Sequence, residues 1–207
     1  MKCGIAPIRA LQDAGVRIGL GCDNCSCSDA QNMFVAMKLF ALLAAISDPV
    51  PGPPQAVAAL RAATEGGAQG ARLGDVLGRI APGFKADLTL IDTRDPTFSP
   101  MNSVARQLVH IEAGRGVRHV IVDGKVVVRD RQLTTVDEST IYDAVKAVTL
   151  EFRRDFATIS QRVAKLQPWL DRAHRRIMAA ELDIDRLPFG GAQESMQESA
   201  NDSGAAP

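Results

Sequence analysis

Between Ala30 and Ser47 the chain carries a single charged residue, Lys38. A helix across this stretch is apolar on nearly every side, so it is buried or waits for something to bury it. The pattern predicts that helix over about Asp29 to Ile46, and a shorter one over Pro7 to Ala14, stopped by Gly15. Between them Val16–Leu20 reads as a short, mostly apolar strand that breaks at Gly21 and opens into a polar loop, Cys22 to Ser28. Pro49 to Pro54 predicts a rigid linker, and Gln55 to Ala71 a further helix of small residues.

The pattern changes after residue 72. Ala86–Leu90 alternates at period two, as a half-buried strand does. Val117–Val122 and Lys125–Arg129 are β-branched runs joined by Asp123-Gly124, a dipeptide that suits the two positive-φ positions of a tight hairpin. Leu73 to Leu133 therefore reads as a small β-rich module. From Asp137 onward Ile141, Val145, Val148, Phe152, Phe156, Ile159, Val163 and Leu166 recur at three- and four-residue steps. They predict one helix that Pro168 interrupts, its stripe packed on its own domain or, alternatively, offered to a partner. Gly190 to Pro207 has almost nothing to bury and reads as disordered.

Composition narrows the function classes. With 207 residues and 46% hydrophobic content the chain can bury a core. Its zero net charge argues against a nucleic-acid groove or an anionic membrane as partner, and 4% aromatics against a base-stacking platform. No apolar run is long enough to span a bilayer comfortably, and no secretory signal opens the chain. All four cysteines (Cys3, Cys22, Cys25 and Cys27) fall in the first 27 residues. A disulfide framework would spread them out, so the expectation is reduced thiols in the cytoplasm. Four thiolates would also suffice for structural zinc, although a single Cys-x-x-Cys-x-Cys run is not the paired pattern of zinc ribbons. That leaves a cysteine metal-binding protein as one alternative.

Asp23 follows the predicted strand after a glycine hinge. An α/β barrel gathers its catalytic groups at the C-terminal ends of its strands, while an Asp after a strand also serves as a helix cap or turn residue. Both readings stand on the residues alone.

The order of motifs adds to this. Gly4-Ile5-Ala6-Pro7, Leu20-Gly21-Cys22-Asp23-Asn24 and Asn32-Met33-Phe34 resemble the last barrel segment of the amidohydrolase superfamily. Ala63-Thr64-Glu65-Gly66-Gly67-Ala68 resembles the family's helix after the barrel, and Leu73-Gly74 to Gly78-Arg79-Ile80 its continuation. Pro82-Gly83-Phe84-Lys85-Ala86-Asp87-Leu88 resembles the entry to its small β domain, and Val120 to Val127 its final hairpin. The resemblance covers residues 4 to 138. The branch it resembles most holds guanine, cytosine and adenosine-type deaminases and triazine chlorohydrolases.

The resemblance implies a hydrolase acting on a carbon–nitrogen bond of a small heterocycle, with zinc or iron at the barrel mouth. Such a metal lowers the pKa of bound water to about 7. Asp23 matches the family's carboxylate, so the resemblance implies that it binds the metal and carries a proton from the water to the departing amine. Homo-oligomers are the family's tendency.

The sequence also departs from the family. It has no His-x-His, and His110, His119 and His174 stand in no metal motif. Asp23 alone cannot hold a catalytic metal, which takes about three protein ligands and an open position. The expected fold is α/β and truncated. Residues 1–72 form the last βα unit of a TIM-type barrel, 73–136 part of a small β-sandwich, 137–187 a helical tail, and 188–207 a disordered end. By itself such a chain is expected to be inactive and poorly soluble, either a piece of the hydrolase or a non-catalytic remnant acting as an interaction module.

Overall fold

The computed structural model describes residues 5–25, 29–46 and 55–179. The predicted linker at Pro49–Pro54, the disordered end, Cys3 and Cys27 lie outside these residues. The chain divides into two units, one through Gln132 and one from Leu133. Among the described residues it is a mixed α/β structure with one small antiparallel sheet.

The first unit begins with helix α1 (Ile8–Asp13). Gly15, at φ 71°, turns the chain back so that Val16 N donates to Leu11 O at 2.9 Å, a closure that needs a left-handed residue. Helix α2 (Met33–Ile46) is the predicted apolar helix, starting later than its pattern suggests. Asn32 accounts for that start. Its Oδ1 accepts from Phe34 N (3.0 Å) and Val35 N (3.3 Å), satisfying donors that the first turn leaves free. Helix α3 (Ala56–Arg61) runs through a π turn, Ala62–Gly66, into α4 (Gly67–Gly70).

One core joins these helices. Met37, Phe40, Ala41 and Ala44 of α2 are buried with Ala56, Ala59, Ala62, Ile8 and Val109. Val109 belongs to α5 (Val104–His110), a helix too short for its periodicity to stand out in the sequence. Two polar side chains fix α5. Ser103 caps it by accepting from Arg106 N, and the buried Gln107 donates to Thr97 O at 2.9 Å. Only one side of α2 is covered, however. Val35, Leu39, Leu42 and Ile46 are exposed, Ile46 by 57%, so on this side the helix is one that waits for something to bury it. Among the described residues, α1, α3 and α5 are the elements that meet α2 most, and the outward side is left open.

The sheet has the order β1 (Leu88–Ile91), β2 (Val117–Val122), β3 (Lys125–Arg129), β4 (Gln132–Leu133). β1 pairs antiparallel with β2 (Leu88 opposite Ile121), and β2 with β3 (Val122 opposite Lys125). The predicted hairpin turn is present, with Asp123 at φ 49° and Gly124 at φ 78°. Asp87 locks it by accepting from Asp123 N at 2.7 Å, while Gly124 N donates to Ala86 O. A second two-residue turn, Asp130 (φ 46°) and Arg131 (φ 69°), leads into β4. Arg118 holds that turn, its Nε donating to Asp130 Oδ1 at 2.8 Å and its carbonyl accepting from Arg131 N. A second sheet, as a sandwich would need, is not present among the described residues.

Two sequence expectations need correction. Val16–Leu20 is not a strand of any sheet, because among the described residues no strand lies beside it to form a ladder. Pro168 does not end the last helix: α6 runs unbroken from Glu138 to Met178. Proline removes one helical N–H and costs about 3 kcal/mol in a helix interior, but in an exposed helix water can take up the freed carbonyl. The second unit, as far as it is described, is this helix. Asp137 caps it by accepting from Ser139 N at 2.9 Å. The stripe expected to be buried is exposed along its length, Phe152 by 63%.

Candidate functional site

The segment that carries Asp23 is held by backbone rather than by side chains. Leu20 N donates to Ala62 O at 3.0 Å, the same carbonyl that accepts from Gly67 N across the π turn. The two chains meet at a pair of glycines. A Cβ on Gly19 would lie 2.9 Å from Gly66 O, and one on Gly66 would collide with Ile18 O. Neither position tolerates a side chain, so Gly19 and Gly66 let the segment lie directly on the helix backbone.

Beyond this crossing Gly21 and Cys22 lead to Asp23, which is exposed and in the left-handed region at φ 58°. Asp tolerates that conformation better than most residues because its short side chain bonds locally. Here Oδ1 accepts from Asn24 N at 2.8 Å. Gln31 Nε2 donates to the Asp23 carbonyl at 3.3 Å, tying both ends of the loop together. Next to Gln31, Asn32 caps α2 and donates from Nδ2 to Ala113 O at 2.9 Å. Ala113 sits in a tight turn built around Glu112, which is 4% exposed and accepts from Gly114 N (2.7 Å) and Gly116 N (2.9 Å) through one oxygen. The Asp23 loop is therefore anchored through Asn32 to a buried carboxylate 89 residues away in sequence. The run Glu-Ala-Gly-Arg-Gly, an acid followed by two glycines, carried a signal for that turn that periodicity does not read.

Two clefts flank the 16–22 segment. A cavity of about 320 Å³ lies at its outgoing end, lined by Ile5, Leu20, Cys22, Asn32, Leu39 and Phe40. A wider one of about 460 Å³ lies at its incoming end, beside Arg9, Arg17, Arg61 and Glu65. The smaller cavity is the one next to Asp23 in the chain, and it is mostly apolar.

The other titratable groups lie elsewhere. His119, in β2, accepts from Asp130 N through Nδ1 at 3.2 Å, and its Nε2 lies 3.8 Å from Asp130 Oδ1. His110 ends α5, and His174 is exposed on α6. Cys22 and Cys25 are free thiols. Among the described residues no three His, Cys, Asp or Glu side chains converge as a metal site. Asp23 is one donor, so these residues do not by themselves fit a catalytic metal. The strongest charge pairing is in the β module. The Arg115 guanidinium, 2.6 Å away, and the Thr97 N–H hold the Asp95 carboxyl down at about 2. Arg94 and Arg118 keep Asp92 well below the usual carboxylate range.

Residues 3–127 match the amidohydrolase family. The chain is 39% identical over 141 residues to a 5-methylthioadenosine/S-adenosylhomocysteine deaminase of Pelotomaculum thermopropionicum, covering 68% of this chain and 32% of that protein. Its fold is similar to a zinc-bound adenosine deaminase from Xanthomonas campestris, with a TM-score of 0.69, 30% identity, and cover of 72% and 34%. It is also similar to a zinc complex of an atrazine chlorohydrolase from Arthrobacter aurescens, with a TM-score of 0.63, 28% identity, and cover of 70% and 32%. The chain thus spans about a third of the length of the curated relatives it matches. No helix among the described residues is long and apolar enough to cross a membrane.

Proposed function

Because the chain belongs to the amidohydrolase family, we propose that it forms the C-terminal third of a metal-dependent deaminase acting on an adenine nucleoside. Residues 1–72 supply the last strand–helix unit of the barrel, 73–136 its share of the small β domain, and 137–187 a helical tail. The single observation that carries the reading is Asp23. It is an exposed carboxylate on a left-handed turn just beyond a segment seated on helix backbone. The relatives' deaminase activity on adenosine-type compounds favours a purine amine over a triazine substituent.

In this reading water adds to the amine-bearing ring carbon, and ammonia leaves. Asp23 Oδ takes a proton from the water and returns it to the departing nitrogen, since a carboxylate can act as base and then acid. The loop ties through Gln31 and Asn32 hold Asp23 while both transfers occur. A divalent ion, zinc or iron, would rely on histidines that this sequence does not supply, with Asp23 as one ligand. By itself this chain should therefore release no ammonia from such a substrate.

The test joins the first two thirds of the Pelotomaculum thermopropionicum relative to this chain and measures ammonia released from 5-methylthioadenosine. Proton transfer by a placed side chain is worth about 10²–10⁴-fold. Asp23→Asn should cost at least about 10²-fold, with the circular dichroism spectrum unchanged. Turnover that survives the substitution contradicts the assignment.

A further inference from the structure

Helix α6 carries a long apolar stripe whose side chains are exposed, Phe152 by 63% and Leu166 by 58%. Its apolar residues step along one face from Ile141 to Ile177, ten steps over 36 residues when Ala173 is counted. That is 3.6 residues per step, the period of a straight α-helix, so the stripe does not drift around the cylinder. The spacing is also nearly symmetric about Ile159. Phe152 and Leu166 lie seven residues to either side, Val148 and Leu170 eleven, and Ile141 and Ile177 eighteen.

Charge follows the same centre. From Asp137 to Asp155 five carboxylates face three cations, a net −2. From Phe156 to Met178 five cations face one carboxylate, a net +4 with histidine neutral. A parallel pairing of two copies would set like charge against like along the whole length. An antiparallel pairing sets each acidic half on a basic half and registers the apolar spacing with itself.

We propose that α6 is a homodimer interface, two copies packing antiparallel about a two-fold axis at Ile159. Phe152 of one copy meets Leu166 of the other, and Asp155 comes beside Arg162. At about 1.5 Å per residue the shared stripe is roughly 54 Å long, enough for a continuous helix–helix contact. A two-fold contact of this kind closes on itself and does not propagate into fibres. Pro168 falls off the stripe, on the side that stays in water. The pairing is independent of the hydrolytic reading.

The experiment uses the full chain. Sedimentation equilibrium should give a dimer, and Phe152→Glu should shift it to monomer with helix content retained. Orientation is read by cross-linking in a background where the native cysteines are serine. Ile159→Cys should form a disulfide dimer within one population. Ile141→Cys should not cross-link with itself, but should do so when mixed with Ile177→Cys. A chain that stays monomeric, aggregates without a defined mass, or cross-links through Ile141→Cys alone overturns the proposal. So does a dimer that Phe152→Glu leaves intact.

Discussion

The sheet and the Asp23 segment lie in the same unit and are finished to different degrees. In the sheet, turns close on their own side chains: Asp87 on the 123–124 turn, and Arg118 on the 130–131 turn. The Asp23 segment has one main-chain bond to α3's π turn, an exposed carboxylate, and beside it a helix whose outward side stays open. Backbone N–H and C=O groups in folded proteins are almost always paired. The difference teaches that the sheet folds from local pairs, whereas the Asp23 segment, in the function proposed above, is completed by neighbours.

Glycine substitutions sharpen this contrast most. Gly66→Ala places a Cβ on Ile18 O, which is backbone and cannot rotate away. Overpacking a tight contact costs about 1–3 kcal/mol, and this one should fall at the upper end in urea denaturation. Next to it, Gly67→Ala meets nothing closer than Ala62 O at 3.8 Å. It should be neutral or stabilise by up to about 1 kcal/mol through helix propensity. Equal losses at both positions would show that the crossing does not constrain the segment. In the sheet, Gly124→Ala forces a side chain into positive φ and should cost about 1–2 kcal/mol.

A smaller effect is expected in acid. The Asp95 carboxyl is held at about 2 in the fold, against about 3.9 in an unfolded chain. A depressed pKa contributes stability that is present above the unfolded value and lost as pH falls through the folded one. Stability should therefore decline between about pH 4 and pH 2. Asp95→Asn should lose less over that window, as read from thermal melts at the two pH values. An identical decline in both proteins would mean that the Arg115–Asp95 pair is silent.

The sequence was readable where one residue type answers one local demand. Asp123-Gly124 marks its turn because two positive-φ positions favour that pair. Asp130-Arg131 makes a similar turn but hides it, because Arg131 is held there by Arg118 and not by its own preference. The crossing of Gly19 and Gly66 could not be read, since each glycine is explained only by the other, 47 residues away. Pro168 misled for the opposite reason: local chemistry disfavours it in a helix, yet in exposed helix α6 the cost is small against 41 residues of continuous structure. Asp23 stands out as a candidate by its place after Leu20 and Gly21, whereas its support from Glu112 needed the fold to show it.

If Val16–Leu20 is a strand that awaits neighbours, amide hydrogen exchange reads that state directly. In this chain alone the amides of Arg17, Ile18 and Gly19 should exchange as fast as a loop. Joined to the first two thirds of the 5-methylthioadenosine/S-adenosylhomocysteine deaminase relative, the same amides should become as protected as those of Val120 and Ile121. Amides already protected in the isolated chain, or still unprotected after joining, would contradict it.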